Sequence, residues 1–289
     1  MTDSGLPQPP AAPNATPTTD PDAHPLDDAL QLAPLGGHRF AGRTTAPWAN
    51  MVGPFGGITA AVLLRAAMDH PDRLGEPLAL TVNYAGPVAA GAFEIEARPA
   101  RTNRGTQHWT LSLDQGGQPA STATAVFAVR RDTWTARELT LPEVPPAAEV
   151  EASVPRIGIE WAKRYEMRFI EGGWPDLDIG EELPHSRTMM WIRDLPERPL
   201  DAPALAAICD AFYPRVFRRR QRFTPIGTVS ITTLIHADAA ALARQGARPV
   251  LACARGVHFG QGFFEQRAEV WGDDGTLLAS SIQMVYFRD

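Results

Sequence analysis

Only two cysteines occur in the 289 residues, Cys209 and Cys253, and no C-x-x-C spacing joins them. A zinc ribbon and a disulfide framework are therefore excluded, and both thiols read as small core residues. No window approaches the ~20 apolar residues that a membrane span requires. The opening stretch, MTDSGLPQPP, has neither the basic start nor the apolar run of a secretory leader, so the expectation is a soluble chain in the cytoplasm with no membrane partner. The formal net charge of -6 argues against a general nucleic-acid binder, while leaving room for a local basic patch that meets a phosphorylated small molecule. Familiar enzyme signatures are missing too. The seven histidines contain no H-x-x-x-H pair, no G-x-S-x-G elbow occurs, and GPFGGI lacks the G-x-G-x-x-G spacing of a dinucleotide site.

What the chain does contain is a repetition. Residues 277–288 read LLASSIQMVYFR and residues 119–130 read PASTATAVFAVR, each introduced by a Gly-containing turn and each closing on an aromatic-bearing strand and an Arg. Aligned at the turn, Gln283 falls where the first copy has Ala125. Other elements recur with it. GPFGGITAAVLLRAAMDH predicts a glycine-led helix followed by strands through Arg130, and DAPALAAICDAFYPRVFRRR predicts a second helix, started by Asp201, with Pro203 in its first turn. TVSITTLIHA, PVLACARGVHF, FFEQRAEVWG and LLASSIQMVYFR then read as strands. Each half is expected to be a helix followed by an antiparallel meander of about four strands, as an internal duplication would give. A Pro-rich tail at 1–26 predicts disorder, and the Pro-rich acidic stretch at 141–155 reads as a linker.

Three polar residues stand out against apolar surroundings. Strand alternation puts Gln283 on the face that carries Leu277, Ala279, Ser281, Val285 and Phe287. Such an amide needs partners, because burying it unpaired costs ~1–3 kcal/mol, and the backbone of a core could supply them. Asp210 lies near the edge of the stripe Ala204, Leu205, Ile208, Phe212 and Val216, and Pro214 has no N–H to bond its carbonyl; by itself it reads equally as a solvated helix carboxylate. Thr228, read alone, is an ordinary strand opener. Gly56 and Gly57 open the first helix, where outward N–H groups and the helix dipole suit a developing negative charge, or else they make a tight turn against the sheet.

GPFGG before the first helix, the DG–LLASS–Q ending, and the two helix-and-sheet halves resemble the double-hotdog acyl-CoA thioesterases of the TesB-like family, over residues 36–289. The resemblance implies an α+β double hotdog, each helix wrapped by an antiparallel sheet. Its N-terminal hotdog would span 27–140 and its C-terminal hotdog 156–289, the second carrying the active site. It also implies a site in which Asp210 of CDAFY, Thr228 of GTVSITTLIH and Gln283 of SSIQMV together hold the hydrolytic water. An acyl-CoA would be the substrate, with no metal or redox cofactor. The acyl chain would run between helix and sheet, past Phe55, Phe212, Phe217 and Trp191. The run RRRQR at 218–222 suits a solvated helix end, where cations meet the dipole; alternatively it, or Arg101 and Arg104, would meet the coenzyme A phosphates. Two fused hotdogs imply a homodimer or a higher even oligomer. A non-catalytic acyl-ligand binder and a hotdog enoyl-thioester hydratase are the rival readings. With Ala125 in place of glutamine and no Asp in GGITAAVLLRAAM, the first half is expected to hold no second site.

Overall fold

The computed structural model describes residues 22–155 and 158–288. The first half runs α1 (Pro25–Ala29), β1 (Ala33–Gly36), β2 (Arg39–Arg43), α2 (Gly56–Asp69), β3 (Glu76–Tyr84), β4 (Ala92–Thr102), β5 (Thr106–Gln115) and β6 (Gln118–Ala128). The second runs β7 (Tyr165–Glu171), β8 (Thr188–Asp194), α3 (Ala202–Ile208), α4 (Arg215–Arg220), β9 (Ile226–Ile235), α5 (Ala239–Gln245), β10 (Val250–Gly260), β11 (Phe263–Trp271) and β12 (Leu277–Phe287). All twelve strands join one antiparallel sheet in the order β1-β2-β4-β5-β6-β3-β9-β12-β11-β10-β8-β7. Read from either end, the order is the same, so a pseudo-twofold axis crosses the central β3–β9 seam. There Thr81 lies opposite Thr232, their hydroxyls 3.0 Å apart.

The sheet departs from the expected four-strand meander in each half. Only β4-β5-β6 and β10-β11-β12 are hairpin-connected meanders; β3 and β9 sit beyond β6 and β12 and pair with one another. The reason is edge pairing: the strand that follows each helix would otherwise present an open ladder, and the two close each other's edge.

Against the concave side lies α2, whose residues Ile58, Ala60–Leu64, Ala66 and Ala67 are all buried. A helix apolar around most of its circumference needs cover on all sides, and the sheet together with α3 supplies it. The approach to α3 is close: a Cβ on Gly57 would sit 2.7 Å from the carbonyl oxygen of Ala207.

The second helix is not the single helix that the sequence suggests. Asp201 caps α3 by accepting from the N–H of Ala204 at 2.9 Å, but the helix ends at Ile208, and α4 begins only at Arg215. Pro214 cannot donate to the preceding turn, and the Asp210 N–H bonds the carbonyl of Ala207, a tighter turn than an α-helix makes. The fully buried Arg215 holds the break, donating to the carbonyls of Tyr213 and Ser186 and to Thr188 Oγ1. Burial pushes its pKa down to about 9.

Two boundaries move. Residues 1–21 of the predicted disordered tail lie outside the described residues, but over 22–26 the chain is ordered. Leu26 is buried, and the carbonyl of Pro25 accepts from Trp48 Nε1 at 3.0 Å. The stretch at 141–155 is not loose along its length: Leu141, Val144, Ala147 and Val150 pack on Trp191 and Trp271, and Trp191 Nε1 donates to the carbonyl of Pro145. Among the described residues, no helix is long and apolar enough to cross a membrane. Cys209 and Cys253 are buried free thiols, as their isolation in the sequence suggests.

Candidate active site

Three elements deliver the polar residues to one place. The break after α3 leaves Asp210 free of a regular helix, with its side chain turned toward β12. There Gln283 is buried on the inward face with Ser281 and Val285, while Ile282, Met284 and Tyr286 point outward. Thr228 comes from β9, opposite Val285. Gln283 Nε2 donates to Asp210 Oδ1 at 2.5 Å and reaches Thr228 Oγ1 at 3.2 Å. The three residues singled out in the sequence are thus one hydrogen-bonded group.

A contribution from the other half completes the surroundings of the carboxylate. The Gly57 N–H, in the first turn of α2, donates to Asp210, so the positive end of the α2 dipole faces the carboxylate. Gly56 must lack a side chain, since a Cβ there would lie 2.7 Å from Asp210 Oδ2 and 3.3 Å from the Tyr84 hydroxyl. Tyr84 in turn donates to the carbonyl of Gly56 at 2.8 Å, fixing the helix start. Burial nevertheless outweighs these donors. The pKa of Asp210 is pushed up to about 7 by loss of solvent, with the Gln283 and Gly57 hydrogen bonds opposing.

The group opens into a cavity of about 160 Å³. Phe55, Phe212, Phe217, Phe264, Trp161 and Val285 form its apolar wall, and Asp210, Thr228, Gln283, Gly56 and Asn50 its polar end. Phe55 and Trp161 stack with ring centres 4.3 Å apart, joining the first half to the short 3-10 turn at Glu160–Arg164. Apolar walls with a few convergent polar groups are the ordinary anatomy of a small-molecule site.

Some sequence-derived candidates lie elsewhere. Trp191 does not line the cavity; alternation on β8 turns it to the opposite side, against the 141–150 stretch. Arg101 and Arg104 lie at the exposed far end of β4 and its turn in the first half, where Arg101 bonds Asn103, and neither lines the cavity. Gly57 does not line the cavity; its N–H is turned toward Asp210. Gly56, the first residue of α2, has no intrahelical acceptor for its own N–H.

One member of the group escaped sequence reading. Gln266, on β11 directly opposite Gln283, is buried, lines the cavity, and donates from Nε2 to Gln283 Oε1 at 2.7 Å. The signal was the one that exposed Gln283: a lone amide alternating with Phe264, Ala268 and Val270 on an inward strand face.

A helix enclosed by a twisted antiparallel sheet, twice over, with a buried carboxylate–amide–hydroxyl group at the end of an apolar cavity, defines a double-hotdog protein. Residues 44–128 match the model of the acyl-CoA thioesterase N-terminal domain and residues 137–287 that of the acyl-CoA thioesterase C-terminal domain. The chain belongs to this acyl-CoA thioesterase family. A hotdog-fold protein of unknown function from Alicyclobacillus acidocaldarius is 48% identical, with a TM-score of 0.87, covering 92% of this chain and 99% of its own. The tesB protein of Mycobacterium avium subspecies paratuberculosis is 18% identical at a TM-score of 0.75, with coverage of 91% and 98%. The acyl-CoA thioesterase II TesB2 of Mycobacterium marinum is 16% identical at 0.69, with the same coverage. These last two likenesses are of fold. No curated protein matches the sequence.

Proposed function

We propose that the protein hydrolyses acyl-CoA thioesters to the carboxylic acid and free coenzyme A, at the group formed by Asp210, Thr228 and Gln283. The observation that carries this reading is the buried carboxylate of Asp210, whose pKa of about 7 suits proton exchange near neutrality, at the end of an apolar cavity. A thioester carbonyl is electrophilic enough to be attacked by water, so no covalent nucleophile is required. Water held against Asp210 and the Thr228 hydroxyl attacks the carbonyl carbon while Asp210 takes its proton. Carbonyl electrons move onto oxygen, where the Gly56 N–H at the positive end of α2 is a suitable donor. Collapse of that intermediate breaks the C–S bond, and the proton on Asp210 passes to the departing sulfur.

The acyl group occupies the apolar cavity, and the coenzyme A portion extends toward the mouth near Phe223 and the arginines of α4. The exposed outer face of β9 and β12, with Val229, Leu234, Ile282, Met284 and Tyr286, supports association into a homodimer or higher even oligomer. Light scattering would read a multiple of 31.4 kDa. The test of the activity is thiol release from acyl-CoAs of graded length. Thiol must appear, and Asp210→Asn must slow its release by ~10²–10⁴ while the fold is retained. Binding without thiol would make the protein an acyl-CoA binder; loss of enone absorbance without thiol would make it a hydratase.

A further inference from the structure

We propose that Gln266 is a positioning residue: its side-chain amide decides which way Gln283 faces, and through Gln283 it sets how Asp210 and Thr228 are presented to the substrate. The proposal rests on the reading of Asp210 as the base. A glutamine amide can turn over with little change of shape, exchanging an acceptor for two donors, so its neighbours alone decide its orientation. On one side of Gln283 stands a carboxylate, which when ionised only accepts. On the other stands Gln266 Nε2, which only donates, 2.7 Å from Gln283 Oε1. The two constraints agree. Gln283 must then aim both of its N–H bonds at the catalytic side, one to Asp210 Oδ1 and one to Thr228 Oγ1.

The donors therefore run in one direction, from Gln266 to Gln283 and from Gln283 to Asp210 and Thr228. Two consequences follow for the reacting groups. The Thr228 hydroxyl, having accepted, keeps its own hydrogen to give to water or carbonyl oxygen in the cavity that it lines. Asp210, having Oδ1 bonded by an amide, keeps its ionised form accessible despite burial, since a hydrogen bond to the charged form opposes the rise of its pKa. If Gln266 ceased to donate, Gln283 Oε1 would be buried without its partner, and the amide, anchored on one side only, would hold its N–H bonds to Asp210 and Thr228 less firmly. Asp210 would then hold its proton to higher pH.

The decisive variant is Gln266→Met, nearly equal in volume and uncharged, so that any change in Asp210 comes from the amide and not from a new charge. The acid limb of kcat/KM is expected to move up by about half a unit to one unit, and kcat to fall about tenfold, with KM changed less than threefold. Gln266→Glu, which offers Gln283 an acceptor and so favours the turned amide, should move the limb further. A second reading needs no substrate: the infrared band of the protonated Asp210 carboxyl, assigned by difference against Asp210→Asn, should titrate at higher pH in both variants. Should Gln266→Glu fail to fold, Gln266→Met decides. A folded Gln266→Met with wild-type infrared titration overturns the proposal, whether or not thioesters prove to be the substrate. A shifted titration in Gln266→Met, with no thiol release by the wild type, would instead spare the proposal and sink the assigned activity.

Discussion

Where the second half sets Gln283 between Gln266 and Ile231, the first half sets Ala125 between Trp109 and Leu80, and the two ladders are related by the seam that joins Leu80 and Val82 to Thr233 and Ile231. The correspondence extends to the strand irregularity. Pro77 faces Phe127 next to a register shift, and Thr228 faces Val285 next to another. The polar positions Thr228, Gln266 and Gln283 thus have the apolar counterparts Pro77, Trp109 and Ala125. The same sheet, register and bulge are built without the polar group, so the fold does not require it. A hydrophobic filling is the cheaper way to close this part of a core; that the second half keeps two buried amides and a half-buried hydroxyl beside a carboxylate is the strongest structural argument that they serve chemistry.

The largest effect that would test this contrast is at Asp210. Asp210→Asn should lower turnover by ~10²–10⁴ with the fold retained, while Asp69→Ala, at the exposed end of α2, should leave turnover unchanged. Wild-type turnover in Asp210→Asn would dissolve the distinction between the halves. Next, Gln283→Ala copies the first half into the second, and a loss of ~10²-fold in kcat is expected, read by single-substrate kinetics alongside circular dichroism. The pH dependence follows from the raised pKa of Asp210. As a base it must be ionised, so kcat/KM should rise with pH through about 7 and level off above it. Stability runs the other way. The folded chain holds this proton more tightly than the unfolded one, so the wild type loses stability as pH rises from about 3.8 to about 7, and the Tm of Asp210→Asn should gain on it across that range.

The reverse graft sharpens the comparison from the other side. Ala125→Gln should bring no activity to the first half, because α2 has no Asp before Asp69 to stand where Asp210 does, and should cost ~1–3 kcal/mol by overpacking a buried position. A neutral denaturation midpoint would mean that this part of the first half is more open than its packing implies. Of similar size is Leu26→Ala, expected to lower stability by ~2–5 kcal/mol, since Leu26 is a fully buried member of the main core. Its cost measures how far the ordered chain reaches back toward the N-terminus.

Much of this was legible in the residues. Gln283 stood out by breaking its own repeat, whereas Asp210 and Thr228 read alone as ordinary residues and were joined to it only by the family resemblance. Of the cavity phenylalanines, Phe212 lay on the helix stripe and Phe55 and Phe217 were expected from the resemblance, while Phe264 was not foreseen. What stayed hidden was direction across the chain. Nothing in a strand's alternation says which of its two faces meets the helix, and so Trp191 was assigned to the wrong side. Arg101 and Arg104 were candidates by charge alone, and charge does not report distance. Gln266 carried the same signal as Gln283 but had no mismatched repeat partner to draw notice, since Trp109 belongs to a strand whose correspondence emerges only through the ladder. The β3–β9 pairing, made by residues 151 positions apart at Thr81 and Thr232, is invisible to local pattern.

The hydrogen bond from Gly57 to Asp210 ties the fate of the two copies together. After a duplication, the copy that gives up its reactive groups is ordinarily free to drift, to shrink or to be lost. Here the first half turns one backbone amide toward the carboxylate of the second and bares the Gly56 Cα so that the carboxylate can fit beside it. A replacement for either half would have to preserve that fit, so the two halves are constrained as a pair at this point.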